Sequence, residues 1–203
     1  MKKKDKNTEQ EILLAARKIF IEKGLAGSRM QDIANQAGYN KALLHYYFTS
    51  KNKLFDIVFE QEIGNFFSHL VEILMKELPL FEKIEMIVSL DIDHLTKLPG
   101  MPIFLINEMS QNPEVILKRL KKFPVENILG NFQKQINAEL RKENIKKISA
   151  QQLLINIQSL CIFPFIARPM IKGLLQMDEK AYLQMIQKRK TEVATFIINA
   201  IKA

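Results

Sequence analysis

The sequence has one cysteine, Cys161, no tryptophan and three histidines. A single thiol excludes an intrachain disulfide and points to a reducing compartment, with Cys161 expected in a core. The histidines lack metal-ligand spacing, Cys161 has no evident histidine partner, and neither a glycine-rich phosphate loop nor a nucleophile elbow occurs. No enzyme constellation is visible, and no cofactor or metal is expected. No uncharged apolar run reaches the ~18 residues of a membrane span, and no apolar signal core follows the charged start. A cytoplasmic protein without a membrane partner is expected. Glycine and proline number seven each in 203 residues. With no strand-like alternation, internal repeats or low-complexity linkers, the chain reads as all-α.

Acidic residues are also in deficit, and unevenly so. The formal charge is +8, and the first 53 residues hold 11 Lys/Arg against 5 Asp/Glu, leaving only +2 for the rest. A basic end on a nearly neutral body is the electrostatic footprint of a nucleic-acid-binding module. For Lys2, Lys3, Lys4 and Lys6 a solvated tail fits as well as a phosphate-touching one.

The most informative stretch runs from Ser28 to Leu54. Ser28 with Gln31 has the capping-box pattern of a helix start. In the helix that follows, Met30, Ile33, Ala34 and Ala37 share one side, and Gln31, Asp32, Asn35 and Gln36 the other. Gly38 can take the left-handed conformation that stops a helix, and Asn40 can cap the next, so Gly38-Tyr39-Asn40 makes a tight corner. From Lys41 to Phe48, Leu44, Tyr47 and Phe48 share one side while Lys41, Ala42, His45 and Tyr46 share the opposite one. A helix this short must be clamped on its apolar side, which leaves a basic, aromatic face outward in the manner of a helix-turn-helix recognition element.

The run Asp32-Ile33-Ala34, Ala37-Gly38, Lys41, Leu44, Tyr47-Phe48, Ser50-Lys51 and Leu54 resembles the DNA-binding domain of TetR/AcrR-type transcriptional regulators over roughly the first quarter of the chain. The resemblance implies a three-helix DNA-binding domain at 1–49, followed at 50–203 by a helical effector-binding and dimerisation domain, about nine helices in all. It further implies a homodimer paired through the last two long helices, a near-palindromic operator and a small-molecule effector that displaces the connecting helix.

Lys41 can reach a base acceptor or a phosphate, and Tyr46 beside it can donate to phosphate or pack on a thymine methyl. His45 stands where the family usually has a phosphate-binding tyrosine. Imidazole gains a charge on protonation, so binding is expected to tighten as pH falls through roughly 6.5. Ala42 and Leu43 replace a common glycine and a small or polar residue and offer only apolar contact, Leu43 lying near the boundary with the core face. Lys51 resembles the family's phosphate-clamping lysine, and Ser28 and Arg29 are expected near the groove edge. Asn40 completes the expected DNA-binding set.

Elsewhere, Thr8 with Glu11 offers a capping box for the first helix, whose stripe Ile12, Leu13, Ala16, Ile19 and Phe20 ends at Gly24 and is expected to cover Met30, Ile33, Leu44 and Phe48. Thr49 or Ser50 caps a fourth helix running towards Pro79. Asn112-Pro113 restarts a helix, Ser149 with Gln152 opens the eighth, with a bend expected at Pro164, and Asp178 caps the ninth. The apolar C-terminal pair suggests a subunit interface. The middle helices are rich in Phe and Met, including Phe66, Met86, Met101, Phe104, Met109 and Phe132, which suits either an apolar ligand pocket or a plain core. Asp91, Glu108 and Asn156 are polar residues set within apolar faces, where they either fix a ligand, pair, or face water.

The expected function is a sequence-specific transcriptional repressor released from its operator by a small, largely apolar effector. Two alternatives stay open: an effector-independent architectural DNA-binding protein, and a helical ligand carrier or enzyme with a vestigial DNA-binding head.

Overall fold

In the computed structural model the backbone is described for 2–111, 113–121 and 125–203, and side chains for these except 2–5, Ile63, Phe66, Val115, Ile116, Arg119 and Leu120. The described residues form eleven helices: α1 (Lys2–Gly27), α2 (Met30–Ala37), α3 (Lys41–Tyr47), α4 (Lys51–Met75), α5 (Leu80–Lys97), α6 (Met101–Gln111), α7 (Pro113–Leu120), α8 (Val125–Arg141), α9 (Ala150–Ile166), α10 (Arg168–Leu174) and α11 (Glu179–Ile201). The all-helical class is as expected. The count passes nine because α7 and α10 are separate short segments.

Helix boundaries follow the sequence where a cap is local. Gly38 stops α2 at φ 75 and returns its N–H to the last turn, and the Asn40 side chain accepts from the Leu43 N–H at 2.8 Å. Ser50 caps α4 through Lys53 at 3.2 Å, Ser149 caps α9 through Gln152 at 3.2 Å, and Asp178 caps α11 through Ala181 at 2.7 Å. Two expected capping boxes are not made. Thr8 lies inside α1. The cap position of α2 falls on Arg29, with no side-chain hydrogen bond, because Ser28 Oγ donates back to Leu25 O and Gln31 pairs along the helix with Asn35. The S/T-x-x-Q spacing fits both a helix start and a helix interior, so it does not fix the boundary. The expected Asn112 cap lies outside the described residues. The bend near Pro164 falls instead at Ala167, where α9 and α10 meet at 68°. No single helix among the described residues is long and apolar enough to cross a membrane.

The chain divides into two compact units, residues 1–65 with 103–119, and residues 66–102 with 120–203. In the first, Ile12, Ala16, Ile19 and Phe20 of α1 are buried, as are Met30 and Ile33 of α2, Leu44 of α3, Phe48, and Leu54, Phe55, Val58 and Phe59 of α4. Phe20 meets Phe55 edge-on at 5.1 Å, and Phe104 of α6 joins Phe55 and Phe59 at 5.5 and 6.0 Å. In the second, α5 lies against α9 and α11, with Ile84, Ile87, Val88, Ile92, Phe132, Leu153, Ile157, Tyr182 and Ile186 in a continuous core.

Candidate nucleic-acid interface

The α2–α3 pair is held from behind by α1. Lys23 donates to Asp32 at 2.8 Å, which holds that carboxyl below the usual carboxylate range, and Tyr39 on the corner donates its hydroxyl to Glu11. Inside α3, Leu44 is the one helical side chain fully buried, with Phe48 plugging the core just after it. Seven residues cannot form a helix unaided. The Asn40 cap, the Leu44 anchor and the ring contact of Tyr47 with Phe48 at 6.4 Å supply what the peptide lacks.

The opposite face is open. Lys41, Ala42, His45 and Tyr46 are exposed, Tyr46 at 79% of its surface, and Leu43 is half-buried at the boundary. Tyr46 stands edge-on against the Tyr47 ring at 5.3 Å and 88°, so the exposed phenol is oriented from its own helix. A cation, a methyl, an imidazole and a phenol on one helical surface can meet phosphate oxygens, base acceptors and thymine methyls. Arg29 and Asn40 are exposed at the start of α2 and α3.

Two expected members are placed differently. Ser28 is buried at 2% exposure with its hydroxyl on Leu25 O, so its side chain does not line a groove edge. Lys51 is half-buried, and its ammonium donates to Leu25 O at 2.8 Å and Ser28 O at 3.0 Å.

The residues expected to line an effector site are not brought into one cavity. Phe104 and Glu108 belong to the first unit, and Asp91, Met101, Phe132 and Asn156 to the second. The Phe66 side chain lies outside the described residues. Phe132 and Met101 are buried, Phe132 inside the continuous core of the second unit, whereas Met86 and Met109 are exposed. Asn156 was expected in a buried stripe and is exposed, because the buried face of α9 runs through Leu153, Ile157 and Cys161; Asn156 lines a cavity of about 330 Å³ with Leu160 and Phe196. Asp91 is fully buried, accepts from Gln158 at 2.7 Å, and leaves Oδ1 without a partner. Burial pushes its carboxyl up to about 7, with the Gln158 bond opposing. Burial likewise pushes the Cys161 thiol far up, which leaves it an inert core group. Among the described residues no group of three His, Cys, Asp or Glu side chains converges on a metal position.

On the second unit, Ile155 and Phe163 of α9 and Phe196 of α11 are exposed, Phe163 at 55% and Phe196 at 65%.

The model of the family described as bacterial regulatory proteins, tetR family, matches residues 12–58, the segment that carries α2, α3 and their clamps. An uncharacterised helix-turn-helix transcriptional regulator from the lacX 3′ region of Lactococcus lactis subsp. lactis is 29% identical over 140 residues, covering 66% of this chain and 69% of the relative. The chain belongs to the TetR family. The TetR-family transcriptional repressor-type head is matched again in the HTH-type transcriptional repressor NicS of Pseudomonas putida, 41% identical over 59 residues, though that match covers only 29% of this chain and 28% of NicS. The ketosteroid transcriptional regulator KstR2 of Mycobacterium tuberculosis superposes with a TM-score of 0.68 at 15% identity, covering 96% of this chain and 95% of that one, a likeness of fold. TetR-family regulators bind operator DNA and act as dimers, and this chain is a DNA-binding transcriptional regulator of that family.

Proposed function

We propose that the chain is a homodimeric repressor that releases its operator when a small, largely apolar molecule binds. The observation that carries this reading is the α3 surface, where one anchor points in and Lys41, Ala42, His45 and Tyr46 point out. Residues 1–49 form the DNA-binding domain, and Arg29, Lys41, Ala42, Leu43, His45 and Tyr46 make its face. Asn40 sets the start of the helix, while Ser28 and Lys51 support it from behind. The exposed Phe163 and Phe196 on α9 and α11 support pairing of those helices with their mates in a second copy, since apolar surface of this size is costly to leave wet. Two heads related by a two-fold axis then meet successive major grooves of a near-palindromic site. The repressor sign is supported by the likeness of the head to NicS. Residues 50–203 carry the effector site.

Titration of duplex DNA at several salt concentrations tests the reading. Tight binding to a selected duplex, weakening steeply with salt and relieved by apolar small molecules, is the expected result. Affinity indifferent to sequence and to small molecules would favour an architectural protein. Ligand uptake or turnover with no salt-dependent DNA binding would favour a carrier or enzyme.

A further inference from the structure

We propose that Lys51 and Glu108 are positioning residues for DNA recognition that hold the backbone of Leu25 from its two sides, Lys51 doing so in place of clamping a phosphate. The proposal rests on the reading of α3 as the DNA-facing helix. Gly24, at φ 66 and ψ 177, breaks the regular path of α1, and Leu25 to Ser28 form the corner that leads into α2. Helix α2 has no side-chain cap at Arg29, so the local device that ordinarily fixes a helix start is missing there. Other elements supply it.

From α4, the Lys51 ammonium reaches Leu25 O and Ser28 O at 2.8 and 3.0 Å, and Ser28 Oγ donates to the same Leu25 carbonyl at 3.0 Å. A lysine that swings out to a phosphate gives up both carbonyls, which buried or half-buried backbone tolerates poorly. From α6, Glu108 Oε1 accepts the Leu25 N–H at 3.5 Å, the long limit of a hydrogen bond. Glu108 is only 4% exposed, and this is its one hydrogen bond among the described residues. A carboxylate so buried needs that partner. A cavity of about 230 Å³ lined by Gly24, Leu25, Phe104 and Glu108 lies beside it, space into which the side chain can withdraw. All these groups belong to the first unit. The corner that aims α2 and α3 is therefore set by one residue of α4 and one of α6, the α6 bond being the weaker.

The test uses the full-length protein and two duplexes, one selected by the wild type from a random-sequence pool and one scrambled. Lys51→Met and Glu108→Met are each expected to bind the selected duplex about tenfold more weakly and the scrambled duplex within twofold of wild type. The slope of log affinity against log salt should stay at the wild-type value, whereas losing one phosphate contact lowers it by roughly 0.9. Simple loss of folded protein lowers both affinities together, so the ratio separates positioning from instability. A slope reduced by roughly 0.9 in Lys51→Met, with both duplexes weakened equally, makes Lys51 a phosphate clamp and overturns the proposal. Unchanged discrimination in Glu108→Met overturns the α6 half. Should Lys51→Met not fold, exchange of the Leu25 amide in the wild type decides alongside Glu108→Met: protection supports the clamp, and exchange at the rate of an open loop contradicts it. A wild type without salt-dependent DNA binding removes the underlying reading, and this proposal with it.

Discussion

Helices α3 and α5 bury polar and apolar residues in opposite proportion. Helix α3 has seven residues and one buried side chain, Leu44, and everything polar on it faces out. Helix α5 has eighteen residues and eight buried side chains, among them Lys83 and Asp91. Lys83 donates to Leu74 O at 2.8 Å and closes the end of α4, while Asp91 joins α5 to Gln158 of α9. A short helix clamped by one anchor leaves its chemistry on display, whereas a long central helix absorbs polar groups into structure. Exposed polar residues of α3 are thus informative about function, and the buried ones of α5 are informative about packing.

The largest effect expected from this contrast is at the anchor. Leu44→Ala leaves a void under a helix with no other fully buried contact, and a cost of about 2–5 kcal/mol is expected in urea melts. A loss below about 1 kcal/mol would show that α3 is held by something else. Next comes Asp91. Its raised folded pKa of about 7 means that the folded chain holds a proton the unfolded chain has released, so the associated stability is complete below about pH 3.8 and is lost as pH rises through about 7. Wild-type stability should fall between pH 4 and 8. Asp91→Asn should flatten that fall and be the more stable protein at pH 8 by roughly 2–4 kcal/mol. Equal pH profiles for the two proteins would mean that the carboxyl is solvated or paired.

Smaller effects sharpen the picture of α3. Asn40→Ala removes the cap on the Leu43 N–H and should cost about 1 kcal/mol, read from the same melts, with Asn40→Ser recovering most of it. Tyr46→Ala should change stability by less than about 0.5 kcal/mol, because the ring touches only Tyr47 among the described rings. Its DNA affinity should nevertheless fall severalfold in a fluorescence titration. A Tyr46→Ala protein that melts early would make the phenol part of the scaffold.

How much of this was legible in the sequence follows the same division. The corner at Gly38 and Asn40, the caps at Ser50, Ser149 and Asp178, and the buried set Ile12, Phe20, Ile33, Leu44 and Phe48 could be read directly, because each depends on neighbours within a few residues or on one helical face. The Ser28–Gln31 pair misled because Ser28 is bonded to Leu25 behind it, a contact set by the break at Gly24. The carbonyl partners of Lys51 and the link from Glu108 to Leu25 join residues 26 and 83 positions apart, and no spacing rule reaches that far. Asn156 was misplaced for a different reason: in a run as apolar as 153–166 many faces look equally fit for burial. The expected effector set scattered for the same cause, since Phe and Met mark a core as readily as a cavity.

The most direct test of the central claim, that the outward face of α3 meets duplex DNA, is a titration of the Lys41→Ala, Tyr46→Ala protein against the selected duplex at several salt concentrations. The account predicts an unchanged melting temperature, a loss of affinity of at least about tenfold and a salt slope lower by roughly 0.9 for the lost lysine contact. Parental affinity together with a parental slope would contradict it.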